Sequence, residues 1–201
     1  MPYYAAYGIN TNNNHMASLC PDARKVEHIT ISNCRLAYRA GFLTIIPQEG
    51  REVKCLLWEI SSKDEQSLDA FEKCSDFYIK ETVKINTNNE SIDALIYIMN
   101  LKEISESDIY KKPSRSYEKR TKKGYLKNSL PEVQLNRAYF ELIQESRGIP
   151  WDKIQEMEDE RDKKNNNLYT GKMHIRKLSS LLKTDLEINN MPGGYHDSQR
   201  R

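Results

Sequence analysis

The sequence predicts an α+β protein: a small, mostly antiparallel β-barrel or sheet with one embedded helix, followed by a helical C-terminal extension. Three observations predict it. Up to about residue 100, short runs rich in β-branched and aromatic residues recur, which is the strand signal. Beyond that point apolar residues fall at three-to-four spacing and the chain becomes more polar, which is the helix signal. A single helical stretch interrupts the strand-rich half, and several strands with one embedded helix close into a small barrel or sheet.

The expected strands cover residues 3–7, 26–31, 35–39, 44–47, 53–60, 77–85 and 94–99. In the embedded helix, Ser62 is the expected N-cap and Glu65, three residues on, completes a capping box. Leu68 and Phe71 follow at helical spacing, which places Glu72 at the C-terminal end. Pro113 and Ser114 open a helix over residues 114–128. Leu130 and Pro131 start another, carrying Leu135, Ala138, Tyr139, Leu142 and Ile143, and Gly148 and Pro150 close it. A third, over 152–164, has only Ile154 and Met157 as apolar anchors, and 172–183 forms a last short helix. Residues 189–201, with Pro192, Gly193 and Gly194, are expected to be disordered. This divides the chain into a domain at 1–131, a helical extension at 132–188 packed on or beside it, and a tail at 189–201.

Composition narrows the function classes. The 31 Lys and Arg residues against 29 Asp and Glu leave a net charge of +2, which by itself calls for neither nucleic acid nor a membrane. No apolar run reaches the roughly 18 residues that a membrane-spanning helix needs, so no membrane partner is expected. The N-terminus lacks the basic and apolar regions of a signal peptide. Cys20, Cys34, Cys55 and Cys74 are then expected as reduced thiols in a cytoplasmic protein. They contain no C-x-x-C, and His15, His28, His174 and His196 are far apart, so neither a metal nor another cofactor is expected.

Two segments carry candidate chemistry. Residues Tyr4, Ala5, Ala6, Tyr7, Gly8, Ile9 and Asn10 read as a strand running into a glycine turn, whose successive N–H groups can cradle carboxylate oxygens. The plain alternative is a strand-end turn, with Asn12, Asn13 and Asn14 supplying left-handed geometry. The second segment ends the embedded helix at Glu72. A carboxylate half-buried there would have a raised pKa useful for proton transfer; the plain alternative is a surface glutamate paired with Lys73.

Taken in order, eight elements of the chain resemble the γ-glutamylcyclotransferase superfamily. They are Tyr7-Gly8-Ile9-Asn10, Cys20-Pro21-Asp22-Ala23, Leu36-Ala37-Tyr38-Arg39 and Leu43-Thr44-Ile45-Ile46-Pro47. Next come Val53 to Trp58 and Leu68-Asp69-Ala70-Phe71-Glu72-Lys73 with Tyr78 downstream. Pro113-Ser114-Arg115-Ser116-Tyr117 and Gly124 with Leu130-Pro131 complete the set.

The resemblance implies that Glu72 is the catalytic acid/base, that the turn from Tyr4 to Asn10 holds the substrate, and that Tyr78 and Tyr117 line the pocket and hydrogen-bond it. The implied reaction is cyclisation of a γ-glutamyl group to 5-oxoproline with release of an amine. The Tyr-Gly-x-Asn form points away from the glutathione-specific branch and towards γ-glutamyl-amino acids or γ-glutamylamines.

Two positions depart from the family pattern: Ile9 stands for a serine and Lys73 for a glycine. Beside Glu72, a lysine is expected to pair with it or to depress its pKa. These departures and the extension keep open a second reading, a binding protein that uses its pocket or helical tail. A homodimer or protein partner through the C-terminal helices is open on the same grounds. A third reading is weaker. Lys111 to Lys123 hold seven basic residues and one acidic residue, Glu118, around Tyr117, a pattern that could follow a phosphate backbone. The resemblance already accounts for part of that stretch, and nucleic acid is not an expected partner.

Overall fold

The computed structural model describes residues 1–86 and 91–165. The helix expected over 172–183 and the tail at 189–201 lie outside the described residues. The chain divides into two compact units, Met1–Trp151 and Asp152–Arg201; in the second, residues 152–165 are helical.

In the first unit, β1 (Tyr3–Ala6) leads through a 3-10 turn (Ile9–Thr11) into α1 (Asn13–Leu19). Then follow β2 (Arg24–Arg39), β3 (Phe42–Glu59), α2 (Ser62–Phe71), β4 (Tyr78–Asn86), β5 (Ser91–Met99), α3 (Arg115–Lys127) and α4 (Glu132–Glu145). The five strands form one sheet in the order β2-β3-β1-β5-β4. Every pairing is antiparallel except β1 with β5, which is parallel. The barrel alternative is therefore corrected. β2 and β4 end the hydrogen-bonded order without joining each other, and α4 packs against β2.

The expected strands at 26–31 and 35–39 are one strand, and so are those at 44–47 and 53–60. Ala40 and Gly41 join them with φ of 48° and 84°, the two left-handed positions of a tight hairpin turn whose twist matches its strands. Midway, pairing passes from Ser32 with Glu52 to Cys34 with Pro47, so Asn33 alone opposes residues 48–51. Asn33 and Gly50 sit there at φ of 56° and 73°, and the Gly50 N–H donates to Asn33 Oδ1 at 3.2 Å. Both residues lie in the gaps between the expected strands, and they build a bulge there.

Strand β1 is central, and its Ala5 and Ala6 are fully buried. On β3, the adjacent Leu56 and Leu57 are both fully buried. Successive strand residues point to opposite faces, so both faces of the sheet are covered there.

The capping box of α2 lies one residue earlier than expected. Ser61 Oγ accepts from the Asp64 N–H at 3.1 Å, and Asp64 Oδ2 accepts from the Ser61 N–H at 3.0 Å. Asp64 is buried, whereas Glu65 turns away to Lys80. Helix α3 opens at Ser114 as expected, with the Ser114 side chain accepting from the Tyr117 N–H, and Asn128 is its C-cap.

Helix α4 is fixed by buried charge that the sequence did not reveal. Glu141 accepts from Arg35 at 2.6 Å and from Arg51 at 2.8 Å, and Glu145 pairs with Arg35 and Arg39. The Trp151 ring lies 4.0 Å from the Arg35 guanidinium. All four cysteines are free. Burial pushes the Cys34 thiol up to about 11 and Cys20 up to about 12, which keeps both protonated.

Candidate active site

A cavity of about 450 Å³ opens where β1 ends, where α2 ends and where α3 begins. Tyr4, Tyr7, Gly8, Ile9, Asn10, Glu72, Tyr78 and Tyr117 all line it. Of the expected site residues only Ala5 and Ala6 do not; they are sealed in the core of β1. The expectation that the whole run from Tyr4 to Asn10 faces ligand is corrected to its two ends. The middle of a central strand is covered by neighbours on both sides.

The turn after β1 is held from behind by α3. The amides of Thr11 and Asn12 close onto the carbonyls of Gly8 and Ile9 at 3.1 and 2.9 Å. Those bonds leave the amides of Gly8 and Asn10 outside the turn's own pairing. Asn128 Nδ2 donates to the Thr11 carbonyl at 2.7 Å, and Asn12 Nδ2 donates to the Arg120 carbonyl at 2.8 Å. Helix α3 comes so close that a Cβ on Gly124 would stand 2.5 Å from Thr11 Oγ1 and 2.7 Å from the Asn12 nitrogen. Glycine is needed there for that approach. At Gly8 a Cβ would meet the Tyr117 hydroxyl at 3.3 Å.

Glu72 is the C-cap of α2. Its own N–H closes the helix onto Leu68, the Lys73 N–H turns back to Ala70, and the Cys74 N–H turns back to Asp69 at 3.0 Å. Crossed bonds of this kind form a Schellman ending, whose last-but-one residue takes the left-handed conformation and is usually glycine. Here it is Lys73, at φ 49°. The glycine that the resemblance leads one to expect at this position would suit that conformation, and this chain places a lysine in it.

The Glu72 carboxylate is half-buried, with Oε1 accepting from Asn10 Nδ2 at 2.8 Å. The same Asn10 nitrogen donates to the Tyr4 hydroxyl at 2.8 Å. Burial raises the Glu72 pKa to about 7, against a smaller lowering by the Asn10 hydrogen bond. The expectation that Lys73 pairs with Glu72 or depresses its pKa is overturned. Lys73 is exposed, no bond joins the two, and the shift runs upward.

Burial raises the pKa values of Tyr4, Tyr7, Tyr78 and Tyr117, so all four stay protonated. Tyr78 donates to the Leu43 carbonyl at 2.8 Å, and Tyr117 accepts from the Leu43 N–H at 3.1 Å. Both line the cavity while bracing β3. Tyr78 has committed its proton, whereas Tyr117 keeps its own. Tyr117 is also buried against Phe42, at 5.2 Å between rings, and so is not exposed for stacking on a base.

Sequence reasoning missed Phe42, Phe71, Tyr97 and Arg120 in the lining. Arg120 was hidden in the basic run, and helical spacing from Tyr117 was the signal that could have found it: three residues apart on one helix share a face. Among the described residues no group of His, Cys, Asp and Glu is arranged to hold a metal ion, and no helix is long and apolar enough to cross a membrane.

Solved structures share the fold. A gamma-glutamyl cyclotransferase matches at TM-score 0.55 and 23% identity over 67% of this chain and 85% of its own. An uncharacterized protein from Homo sapiens matches at TM-score 0.57 and 24% identity over 67% and 84%. YkqA from Bacillus subtilis matches at TM-score 0.53 and 15% identity over 74% and 54%. Identities this low carry the fold alone. No curated protein matches the chain at a significant level. The sequence model of the gamma-glutamyl cyclotransferase, AIG2-like family matches residues 4–119, more than half of the chain. The protein belongs to that family.

Proposed function

We propose that the protein is a cytoplasmic γ-glutamylcyclotransferase that converts the γ-glutamyl group of a γ-glutamyl-amino acid or γ-glutamylamine to 5-oxoproline and releases the amine. One observation carries the reading: a half-buried carboxylate with a pKa raised to about 7 lines a cavity together with the turn after β1. A general base works best when its pKa lies near the working pH.

The chemistry needs little more. The substrate's α-ammonium gives a proton to Glu72, and the freed α-amine attacks the γ-carbonyl carbon of the same molecule. A new C–N bond closes the five-membered ring, and the carbonyl oxygen takes up the negative charge. Holding one bent conformer supplies the gain of an intramolecular reaction. Glu72 then hands its proton to the departing nitrogen as the old C–N bond breaks. The second proton shed by the ring nitrogen follows the same route, so the amine leaves as an ammonium. The amides of Gly8 and Asn10 are the donors for the substrate carboxylate or the developing oxyanion. Asn10 holds the carboxylate in place, and the protonated Tyr117 hydroxyl is a further donor.

The test is release of 5-oxoproline from a panel of γ-glutamyl compounds. Wild type is expected to turn over at least one, and Glu72→Gln to lose roughly 10²–10⁴-fold in kcat, the usual worth of a general acid/base. If wild type turns over none of them and instead retains a protein partner through the C-terminal helices, the binding-protein reading replaces this one.

A further inference from the structure

Asp69 lies on α2 three residues before Glu72, and the reaction as described gives it no role. Both of its carboxylate oxygens are taken. Oδ1 accepts from the Tyr97 hydroxyl and Oδ2 from Lys80 Nζ, each at 2.7 Å. The sheet presets these two donors. Lys80 on β4 stands directly opposite Tyr97 on β5 in the register, so their side chains leave the same face. Lys80 Nζ also donates to Glu65, one turn further back on α2, at 2.9 Å. Burial raises the Asp69 pKa, but the hydrogen bonds from Lys80 and Tyr97 outweigh it and lower the pKa, so the carboxylate is charged at neutral pH.

Tyr97 is buried and lines the same cavity as Glu72. Its ring meets Tyr4 edge-on at 5.7 Å, and its carbonyl accepts from the Tyr7 hydroxyl. Tyr4 accepts from Asn10, and Asn10 donates to Glu72. The contacts close a circuit: Glu72 to Asn10, Asn10 to Tyr4, Tyr4 to Tyr97, Tyr97 to Asp69, and Asp69 back to Glu72 along the helix. The Asp69 carbonyl also accepts from the Cys74 N–H at 3.0 Å, which closes the backbone turn after Glu72. Asn10 thus holds the head of the Glu72 side chain, and Asp69 holds its root.

We propose that Asp69 and Tyr97 are positioning residues that keep the Glu72 carboxyl inside the cavity by clamping the end of α2 to β4 and β5. Neither gives or takes a proton in the reaction. Burial and the Asn10 hydrogen bond set the Glu72 pKa, so Asp69 acts on it through place and not through charge. Rates respond steeply to place, since a displacement of about 1 Å can cost about 10²-fold. The effect of the clamp on turnover rests on the cyclotransferase reading; its effect on where Glu72 sits does not.

The experiment uses the full chain carrying Tyr97→Phe, which keeps the ring against Tyr4 and removes only the hydroxyl, or Asp69→Ala, which removes both contacts. In each, the Glu72 carboxyl carbon is titrated by NMR and 5-oxoproline release is followed. With the clamp lost the carboxyl reaches water, and its midpoint is expected to move down from about 7 towards 4.5. The expected fall in kcat is about tenfold for Tyr97→Phe and more for Asp69→Ala, with KM within about twofold of wild type. A midpoint that stays near 7 in both variants overturns the proposal, and a lowered melting temperature beside it marks the bond as a structural tie only. Should Asp69→Ala fail to fold, Tyr97→Phe decides. If wild type releases no 5-oxoproline, the cyclotransferase reading fails, while the titration still decides the clamp: a shifted midpoint supports it and an unshifted one overturns it.

Discussion

Glu72 and Glu141 are both carboxylates taken out of water, and they sit in opposite company. Glu141, on α4, is fully buried and held by the guanidinium groups of Arg35 and Arg51. Glu72 is half-buried, and its hydrogen-bond partner is the amide of Asn10. Burial favours the neutral form of a carboxylate, and nearby cations favour the charged form. With arginines in contact the carboxylate ties a helix to a sheet. Without a cation in contact it becomes a group that gains and loses protons near neutrality. Degree of burial does not separate the two roles; the partner does.

The largest expected effect from breaking this contrast falls on the paired carboxylate. Glu141→Gln removes the anion that holds buried Arg35 and its neighbour Arg51, and should cost about 3–5 kcal/mol of stability in denaturant unfolding. A loss under about 1 kcal/mol would mean that the network is solvated and the contrast false.

Gly124→Ala should come next, at about 2 kcal/mol, because its methyl would overlap the backbone of Thr11 and Asn12 and drive α3 off the turn. Turnover per folded molecule should fall with it, since Asn10 lies on that turn. A change in stability alone would show that the turn is set without α3.

Glu72→Gln acts in the opposite direction to Glu141→Gln. With its folded pKa raised from 4.5 to about 7, Glu72 binds more protons in the folded chain than in the unfolded one between those values. Its favourable contribution is complete below pH 4.5 and is lost as pH rises through about 7. The glutamine variant lacks that loss. It should be more stable than wild type at pH 8 by about 2 kcal/mol, with the difference vanishing near pH 4. Thermal melts across pH measure this directly.

The smallest effect is Lys73→Gly, expected to stabilise by about 1 kcal/mol through release of the left-handed lysine. Destabilisation instead would show that the lysine side chain makes contacts worth more than its strain.

The same contrast explains what could be read from the sequence. Strands were legible because β-branched and aromatic runs mark them, and α3 because Pro113 and Ser114 open it. The fusion of four short strands into one long hairpin was not, since Asn33 and Gly50 are turn residues whether they end a strand or bulge it. The capping box moved from Ser62 to Ser61 because adjacent serines offer the same hydroxyl and only the buried Asp64 decides between them. Glu72 was reached through the ordered resemblance; alone it would read as one of 29 acidic residues. The Arg35 to Glu141 pair spans more than 100 positions and leaves no periodic trace. Asn10 was named for its backbone, and its side-chain hold on Glu72 appears only in the folded chain.

The central claim is that residue 72 carries a proton near neutral pH, and titration of its carboxyl carbon by NMR, assigned by difference from Glu72→Gln, tests it most directly. A midpoint near 7 is the predicted result. A midpoint near 4.5, that of a carboxyl group in water, would contradict it.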